Sequence, residues 1–133
     1  MTEPPDHDRL HRDFTLGSLV ALRHEIEQWA GAHGLTGLVL YRFVVAVNEI
    51  TTNAVRHGGG HGHVRLWRAA DGLHCTVTDR GAGLPAGVRP RAPLPDAVGG
   101  RGLWLARHGT DEFTLRSGPR GTAVSLALFT HAT

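Results

Sequence analysis

Two polar side chains four residues apart interrupt an apolar stretch of this chain, and their types suit them to chemistry. Glu49 and Asn53 lie in the segment from Asn48 to Gly58. At about 100° per residue, a helix places both side chains on one face, while Ile50 is displaced towards a surface that can pack into a core. Burying an unpaired carboxylate is costly, so this face is expected to open on a cavity that holds water, a metal ion or a ligand.

A third polar group, Asp79, ends a segment with the alternation of a β-strand. Every second residue from Leu73 onwards is apolar, and Asp79 falls on that apolar face. Gly81 and Gly83 follow it and indicate a loop. The Asp79 carboxylate is therefore predicted to lie at the mouth of a pocket instead of in a sealed core.

A glycine-rich junction precedes a short helical segment later in the chain. Gly99, Gly100, Arg101 and Gly102 lead directly into the segment from Leu103 to His108. Glycines at a helix N-terminus leave the backbone N–H groups and the positive end of the helix dipole open to close approach. Such a junction suits a phosphate chain.

The elements that must position these groups follow from apolar periodicity and turn residues. We predict two helices (18–34 and 36–58) and then a hairpin that turns about Asp71 and Gly72 (64–69 with 73–79). A proline-rich loop (84–98), a short helix (103–108) and a second hairpin (112–117 with 122–129) follow. Thr122 begins the last strand on its apolar face, so it could also reach the pocket. This order predicts an α+β fold with helices layered on one face of a mainly antiparallel sheet.

Length and composition limit the number of domains and the classes of ligand that the chain can bind. The 133 residues suit one domain with a single core, and 41% of them are hydrophobic. The net charge is only +2 and all fourteen basic residues are arginines scattered along the chain, so direct nucleic-acid binding is not indicated. A P-loop requires lysine, so any nucleotide must be held in another way.

The sequence also bears on cellular location. No run approaches the roughly 18 apolar residues of a membrane helix. Residues 1–13 are polar and acidic, and we predict a disordered segment there instead of a signal peptide. Cys75 is the only cysteine, which excludes an internal disulfide and fits a reducing compartment. These features predict a cytoplasmic protein without membrane contact.

Three motifs, in this order, resemble the N, G1 and G2 boxes of the GHKL ATPase superfamily: Glu49-x3-Asn53, Asp79-x-Gly81-x-Gly83 and Gly100-x-Gly102-Leu103. In its compact size, in the residue sequence of its first box and in the closing Gly121-Thr122, the chain is similar to the anti-sigma-factor serine/threonine kinases. The resemblance covers about residues 16–129. It implies the Bergerat ATP-binding fold, a two-layer sandwich with a mainly antiparallel mixed sheet, in a domain at 14–133 whose ATP lid is 84–98.

The resemblance implies ATP and Mg²⁺ as cofactors and gives the matching side chains roles. Asn53 would bind the magnesium ion. Glu49, the catalytic residue, would polarise or deprotonate the attacking hydroxyl, or order a metal-bound water. Asp79 would accept a hydrogen bond from the adenine amino group and so select against guanine, and Thr122 would assist through water.

The remaining residues carried over by the resemblance would contact the base or the phosphates, mainly through backbone N–H groups: Gly81, Gly83, Gly99, Gly100, Arg101, Gly102 and Leu103. For Arg101, a phosphate contact, a partner contact and a solvated side chain stay open as alternatives.

The resemblance implies that the chain phosphorylates an antagonist protein and sequesters a sigma factor when that antagonist is modified, thereby controlling transcription. The alternative is a binding module in which ATP only orders the proline-rich lid, with little or no kinase activity. Members of this family often form dimers, so a homodimer also stays open.

Histidines are abundant, and His57, His61 and His63 form a local group. Zinc binding by this group is the less favoured interpretation, because histidine-glycine alternation in a loop provides no rigid arrangement of ligands. His57 instead matches the His-Gly ending of the family's N box.

Overall fold

The computed structural model describes residues 8–81 and 101–130. Its helices are α1 (Leu19–Ala32), α2 (Gly37–His57) and α3 (Arg101–His108), and a short 3-10 turn at Leu16–Ser18 precedes α1. Its strands are β1 (Arg9–Thr15), β2 (His61–Ala69), β3 (Gly72–Asp79), β4 (Glu112–Gly118) and β5 (Gly121–Phe129).

The five strands form one sheet in the order β1-β2-β3-β5-β4. All four pairings among these described strands are antiparallel, so the parallel pairing that a mixed sheet requires is not among them. Alternate side chains of β2, β3 and β5 are buried in a core shared with α1 and α2. The predicted α+β arrangement is confirmed, with helices packed on the buried face of the sheet.

The helix α2 forms the centre of the core. It begins after Thr36, which has an extended backbone, and ends where Gly59 and Gly60 adopt φ angles of 84° and 92°. These positive angles favour glycine and turn the chain into β2. The side chains that face the sheet recur at three- and four-residue spacing and are buried: Phe43, Val47, Ile50 and Ala54.

By length and composition, α2 is also apolar enough to cross a membrane, with a mean hydropathy of 1.2 over its best window. One such helix is weak evidence for a membrane span, because the core helix of a globular domain meets the same criteria. Here 39% of that window is buried inside the protein, and most of the buried residues of α2 belong to the hydrophobic core. We therefore interpret α2 as a core helix.

The predicted disordered segment at 1–13 is wrong for its last residues. Arg9–Thr15 forms the edge strand β1 and pairs with β2, while residues 1–7 lie outside the described part of the chain. Phe14 supplies the reason, because its side chain is only 2% exposed and lies beside Gly62 of β2. One buried aromatic residue anchors a segment whose other residues are largely polar.

Two local predictions need correction. The β2–β3 hairpin turns at Ala70 and Asp71, one residue earlier than expected, because Ala69 pairs with Gly72. Gly72 belongs to β3, where an added Cβ would collide with the carbonyl oxygen of Leu128 on β5. Ser18 does stand at the start of α1, but its hydroxyl accepts a hydrogen bond from the Thr15 N–H at 2.9 Å and does not cap that helix.

We predict that Phe14→Ala lowers the free energy of unfolding by about 3–5 kcal/mol, the usual cost of removing a buried phenyl ring. The control Leu16→Ala removes a side chain that is 72% exposed and should change stability by no more than about 0.5 kcal/mol. Urea unfolding followed by tryptophan fluorescence measures both values. Equal, small effects would show that β1 is not part of the folded core.

Burial raises the pKa of the Cys75 thiol far above its ordinary value, so the reactive thiolate is nearly absent at neutral and mildly alkaline pH. We predict that a thiol reagent modifies the native protein at least about 100-fold more slowly than the urea-unfolded protein, since access requires opening of the sheet. Labelling at pH 8 followed by mass spectrometry measures this ratio. Comparable rates in both states would contradict the burial of β3.

Candidate functional site

The Asp79 carboxylate is the best-defined polar group at the end of the sheet. Its Oδ1 atom accepts hydrogen bonds from the backbone N–H of Gly81 at 3.0 Å and of Thr122 at 3.3 Å. The first bond closes a local turn after β3, and the second crosses to β5, where Thr122 is the register partner of Asp79. Within the described residues Oδ2 makes no hydrogen bond, so it remains available as an acceptor.

Thr122 lies beside this carboxylate and is buried. Its hydroxyl forms a hydrogen bond of 2.9 Å with the Ser117 hydroxyl, which lies opposite it on β4. Either hydroxyl can donate in this pair, so Thr122 Oγ1 can serve a neighbouring group as a donor or as an acceptor.

A crevice lies between α2, α3 and the buried face of the sheet, with Asp79 in its wall. Side chains from all three parts line it: Ile50, Asn53, Ala54, Val77, Asp79, Leu103, Thr122 and Val124. Its free volume is about 10 Å³, the space that one water molecule needs. A larger flat ligand must therefore displace lining side chains as it enters.

Part of the polar stripe of α2 borders this crevice. Asn53 is part of the lining, and Glu49 lies one helical turn before it on the same face. Both side chains are partly exposed, and neither forms a hydrogen bond or an ion pair with any other described residue. Asn53 thus offers a carboxamide in the lining of an apolar crevice, and Glu49 offers a carboxylate one helical turn away.

These two oxygen-bearing side chains suit a magnesium ion that binds together with phosphates. Mg²⁺ commonly takes one or two protein ligands and completes its octahedron with water and phosphate oxygens. Across residues 8–81 and 101–130, no group of three or more histidine, cysteine or acidic side chains is arranged to hold a metal by itself. Asn53 therefore fits a metal held jointly with a nucleotide better than a closed protein site.

Only part of the predicted glycine-rich phosphate site can be placed. The helix α3 begins at Arg101, and Leu103 is completely buried in the crevice wall. Gly83, Gly99, Gly100 and the proposed lid at 84–98 lie outside the described residues. For Arg101 and Gly102 only the backbone helix is described.

The histidine group does not converge on one point of the site. His61 and His63 lie on β2, and the His63 ring nitrogen Nδ1 contacts the Asp13 carboxylate of β1 at 2.8 Å. His57 ends α2. The His63 contact joins β1 and β2, and β3 separates these two strands from β5 in the sheet.

A wider groove opens on the other side of Asp79, with a free volume of about 500 Å³. It is lined by Thr78, Asp79 and residues 116–123 of the β4–β5 hairpin. Because this groove contains no residue of α2 or α3, we place the candidate site in the smaller crevice, where the polar stripe and Asp79 meet.

The sequence interpretation missed the apolar part of this site. It placed Ile50 on a surface that can pack into the core, whereas Ile50 and Ala54 both line the crevice beside Asn53. Val77 and Val124 line it as well, because each lies two residues from a polar site residue on the same strand face. Ser117 gave no signal in the sequence, since its link to Thr122 depends on the β4–β5 register.

Comparison with known proteins assigns this chain to a family. The family model described as a histidine kinase-like ATPase domain matches residues 13–128. No curated protein sequence matches the chain.

Two solved structures share the fold. The RsbU and RsbW domains of Rv1364c from Mycobacterium tuberculosis superpose with a TM-score of 0.68 at 22% identity, over 94% of this chain and 33% of that one. The histidine kinase domain of the blue-light-activated kinase EL346 from Erythrobacter litoralis gives a TM-score of 0.57 at 20% identity, over 86% of this chain and 65% of that one. The chain thus spans less than two thirds of either relative, and this likeness shows the fold.

Proposed function

The chain belongs to the histidine kinase-like ATPase domain family, and we propose that it is an anti-sigma factor with serine/threonine kinase activity. In this proposal it uses ATP and Mg²⁺ to phosphorylate an antagonist protein, and it controls transcription through proteins instead of through DNA. Membership of the family supports ATP binding. The motif resemblance supports the acceptor class, and a structural relative that contains RsbU and RsbW domains is consistent with a regulatory role.

The observation that supports the nucleotide assignment best is the difference between the two oxygen atoms of the Asp79 carboxylate. Two backbone N–H groups bind Oδ1 and fix the side chain, while Oδ2 keeps its acceptor capacity beside an apolar crevice. An adenine amino group donates a hydrogen bond to such an oxygen, whereas guanine would place a carbonyl oxygen there and repel it. The flat base would pack against the apolar lining from α2, β3 and β5.

The polar stripe of α2 would then serve the phosphate end of the nucleotide. Asn53 would hold the magnesium ion, which neutralises phosphate charge when it is bound. Glu49 would accept the proton of the acceptor hydroxyl as that oxygen bonds to the terminal phosphorus and ADP leaves. The absence of any partner for Glu49 among the described residues supports this role, because an ion-paired carboxylate would be a weaker base.

A partner protein is supported by apolar side chains at the start of α2. Leu38, Val39 and Tyr41 are 61%, 47% and 60% exposed. Exposed apolar groups of this kind, when they lie together, often mark contact sites for other proteins.

We predict that Glu49→Gln lowers the rate of phosphate transfer to the antagonist by about 10²–10⁴-fold, the usual contribution of a general base, while the Kd for ATP changes only a few-fold. The control Glu27→Gln alters an exposed glutamate of α1. Transfer from γ-labelled ATP is measured with antagonist proteins recovered from the native cell. Equal rates in Glu49→Gln and the native protein would remove Glu49 from the mechanism, and tight ATP binding without any transfer would favour the ATP-gated binding module.

We predict that Asp79→Asn weakens ATP binding by about 10- to 100-fold, because it replaces a charged acceptor that is worth about 1.5–3 kcal/mol. GTP binding should change much less, so the preference for ATP should shrink. Asp71→Asn, at the exposed β2–β3 turn, is the matched control. Calorimetric titration with both nucleotides tests this, and an unchanged preference in Asp79→Asn would exclude Asp79 as the base-reading group.

A further inference from the structure

The backbone at the end of α2 touches the side chain of Asp79. Gly58 is buried and closes α2, with its N–H donating a hydrogen bond of 2.6 Å to the Ala54 carbonyl oxygen. A Cβ atom added to Gly58 would overlap the Cβ and Cγ atoms of Asp79 as well as that carbonyl oxygen. The φ angle of Gly58 is −107°, which any residue can adopt, so lack of space and not backbone conformation excludes a side chain there.

The next two glycines of the same run behave differently. Gly59 and Gly60 have positive φ angles, and an added Cβ at either position would meet no atom within 4 Å. These two glycines therefore serve the turn, whereas Gly58 serves a contact. Only Gly58 of the three lies against the candidate site.

Two further glycines surround Asp79 from other elements. A Cβ on Gly81 would lie 2.5 Å from the Gly58 Cα atom and 2.8 Å from the His57 carbonyl oxygen. A Cβ on Gly121 would overlap the carbonyl oxygen of Asp79 and lie 3.0 Å from the Arg80 Cα atom. We call Gly58, Gly81 and Gly121 the glycine collar. In it the end of α2 meets the Asp79 side chain and the loop after β3, and the start of β5 meets the Asp79 backbone.

We infer that Gly58 is a positioning residue that sets base specificity, because its missing side chain lets the end of α2 hold Asp79 in its observed position. In that position Oδ1 receives both backbone N–H groups and Oδ2 remains available at the crevice. A methyl group at position 58 would push the carboxylate away and separate it from one or both donors. This inference rests on the proposed nucleotide site and adds to it the element that fixes the base-reading group.

A side chain at position 58 would affect adenine recognition more than general folding of the crevice. None of the three atoms nearest an added Cβ at Gly58 belongs to Ile50, Val77 or Val124, which line the crevice; two belong to the Asp79 side chain and one is the backbone carbonyl oxygen of Ala54. Apolar packing of a purine should therefore survive, while the hydrogen bond that distinguishes an amino group from a carbonyl oxygen is lost.

The test compares Gly58→Ala with Gly31→Ala, an exposed position of α1 where an added Cβ meets nothing within 4 Å. Calorimetric titration with ATP and with GTP, each with Mg²⁺, gives the preference for adenine. We expect Gly58→Ala to weaken ATP binding about 10- to 100-fold and GTP binding by less than about threefold, and Gly31→Ala to leave both unchanged. A loss that is equal for both nucleotides, or no loss, would overturn the inference.

If Gly58→Ala does not fold, the double variant Gly58→Ala/Asp79→Gly decides the matter. Removing the Asp79 side chain removes two of the three atoms nearest the new methyl group and leaves the Ala54 carbonyl oxygen, so Gly58→Ala should lower the melting temperature less in the Asp79→Gly background than in the native protein. An equal or larger loss in the Asp79→Gly background would show that Gly58 does not act through Asp79. Absence of ATP binding by the native protein would instead refute the proposed function, which separates the two failures.

Discussion

The position of one carboxylate depends on three separate pieces of backbone. Asp79 is bound through Oδ1 by N–H groups of Gly81 and Thr122, and Gly58 closes the space behind it. The first contact is local, the second requires the β3–β5 register, and the third requires α2 to end against the sheet. Because a carboxylate held in this way cannot turn freely, the acceptor at the crevice has a defined direction, which is what recognition of a base requires.

Secondary structure could be predicted from the sequence wherever apolar periodicity was strong. The 3.6-residue spacing along α2 and the alternation in β3 and β5 determined which faces are buried, and the structure has those faces inward. The strand β1 could not be predicted in this way, because its only fully buried side chain is Phe14 and its pairing with β2 is a long-range contact. The same limit applied to Ser117, whose partner is fixed by strand register.

Predicting the polar residues of the site was easier than predicting its shape. Asn53 and Asp79 stand out in an apolar context and do line one crevice, and Leu103 and Thr122 join them there. The narrowness of that crevice could not be predicted from the sequence, and neither could the close contacts that leave no space for a side chain at Gly58 and Gly121. Glycine in a sequence signals conformational freedom and close contact equally, and only coordinates separate the two causes.

The family supplies an ATP-binding fold, and such folds host several activities, so the assignment of a kinase depends on the site. The most direct measurement is a crystal structure with Mg²⁺ and a non-hydrolysable ATP analogue. We expect the crevice to widen around the adenine, with the amino nitrogen within 3.2 Å of Asp79 Oδ2, as in ordinary hydrogen bonds, and with Oδ1 still bound to its two backbone donors. A nucleotide bound elsewhere, with Leu103 and the other lining side chains still closing the crevice, would contradict the account.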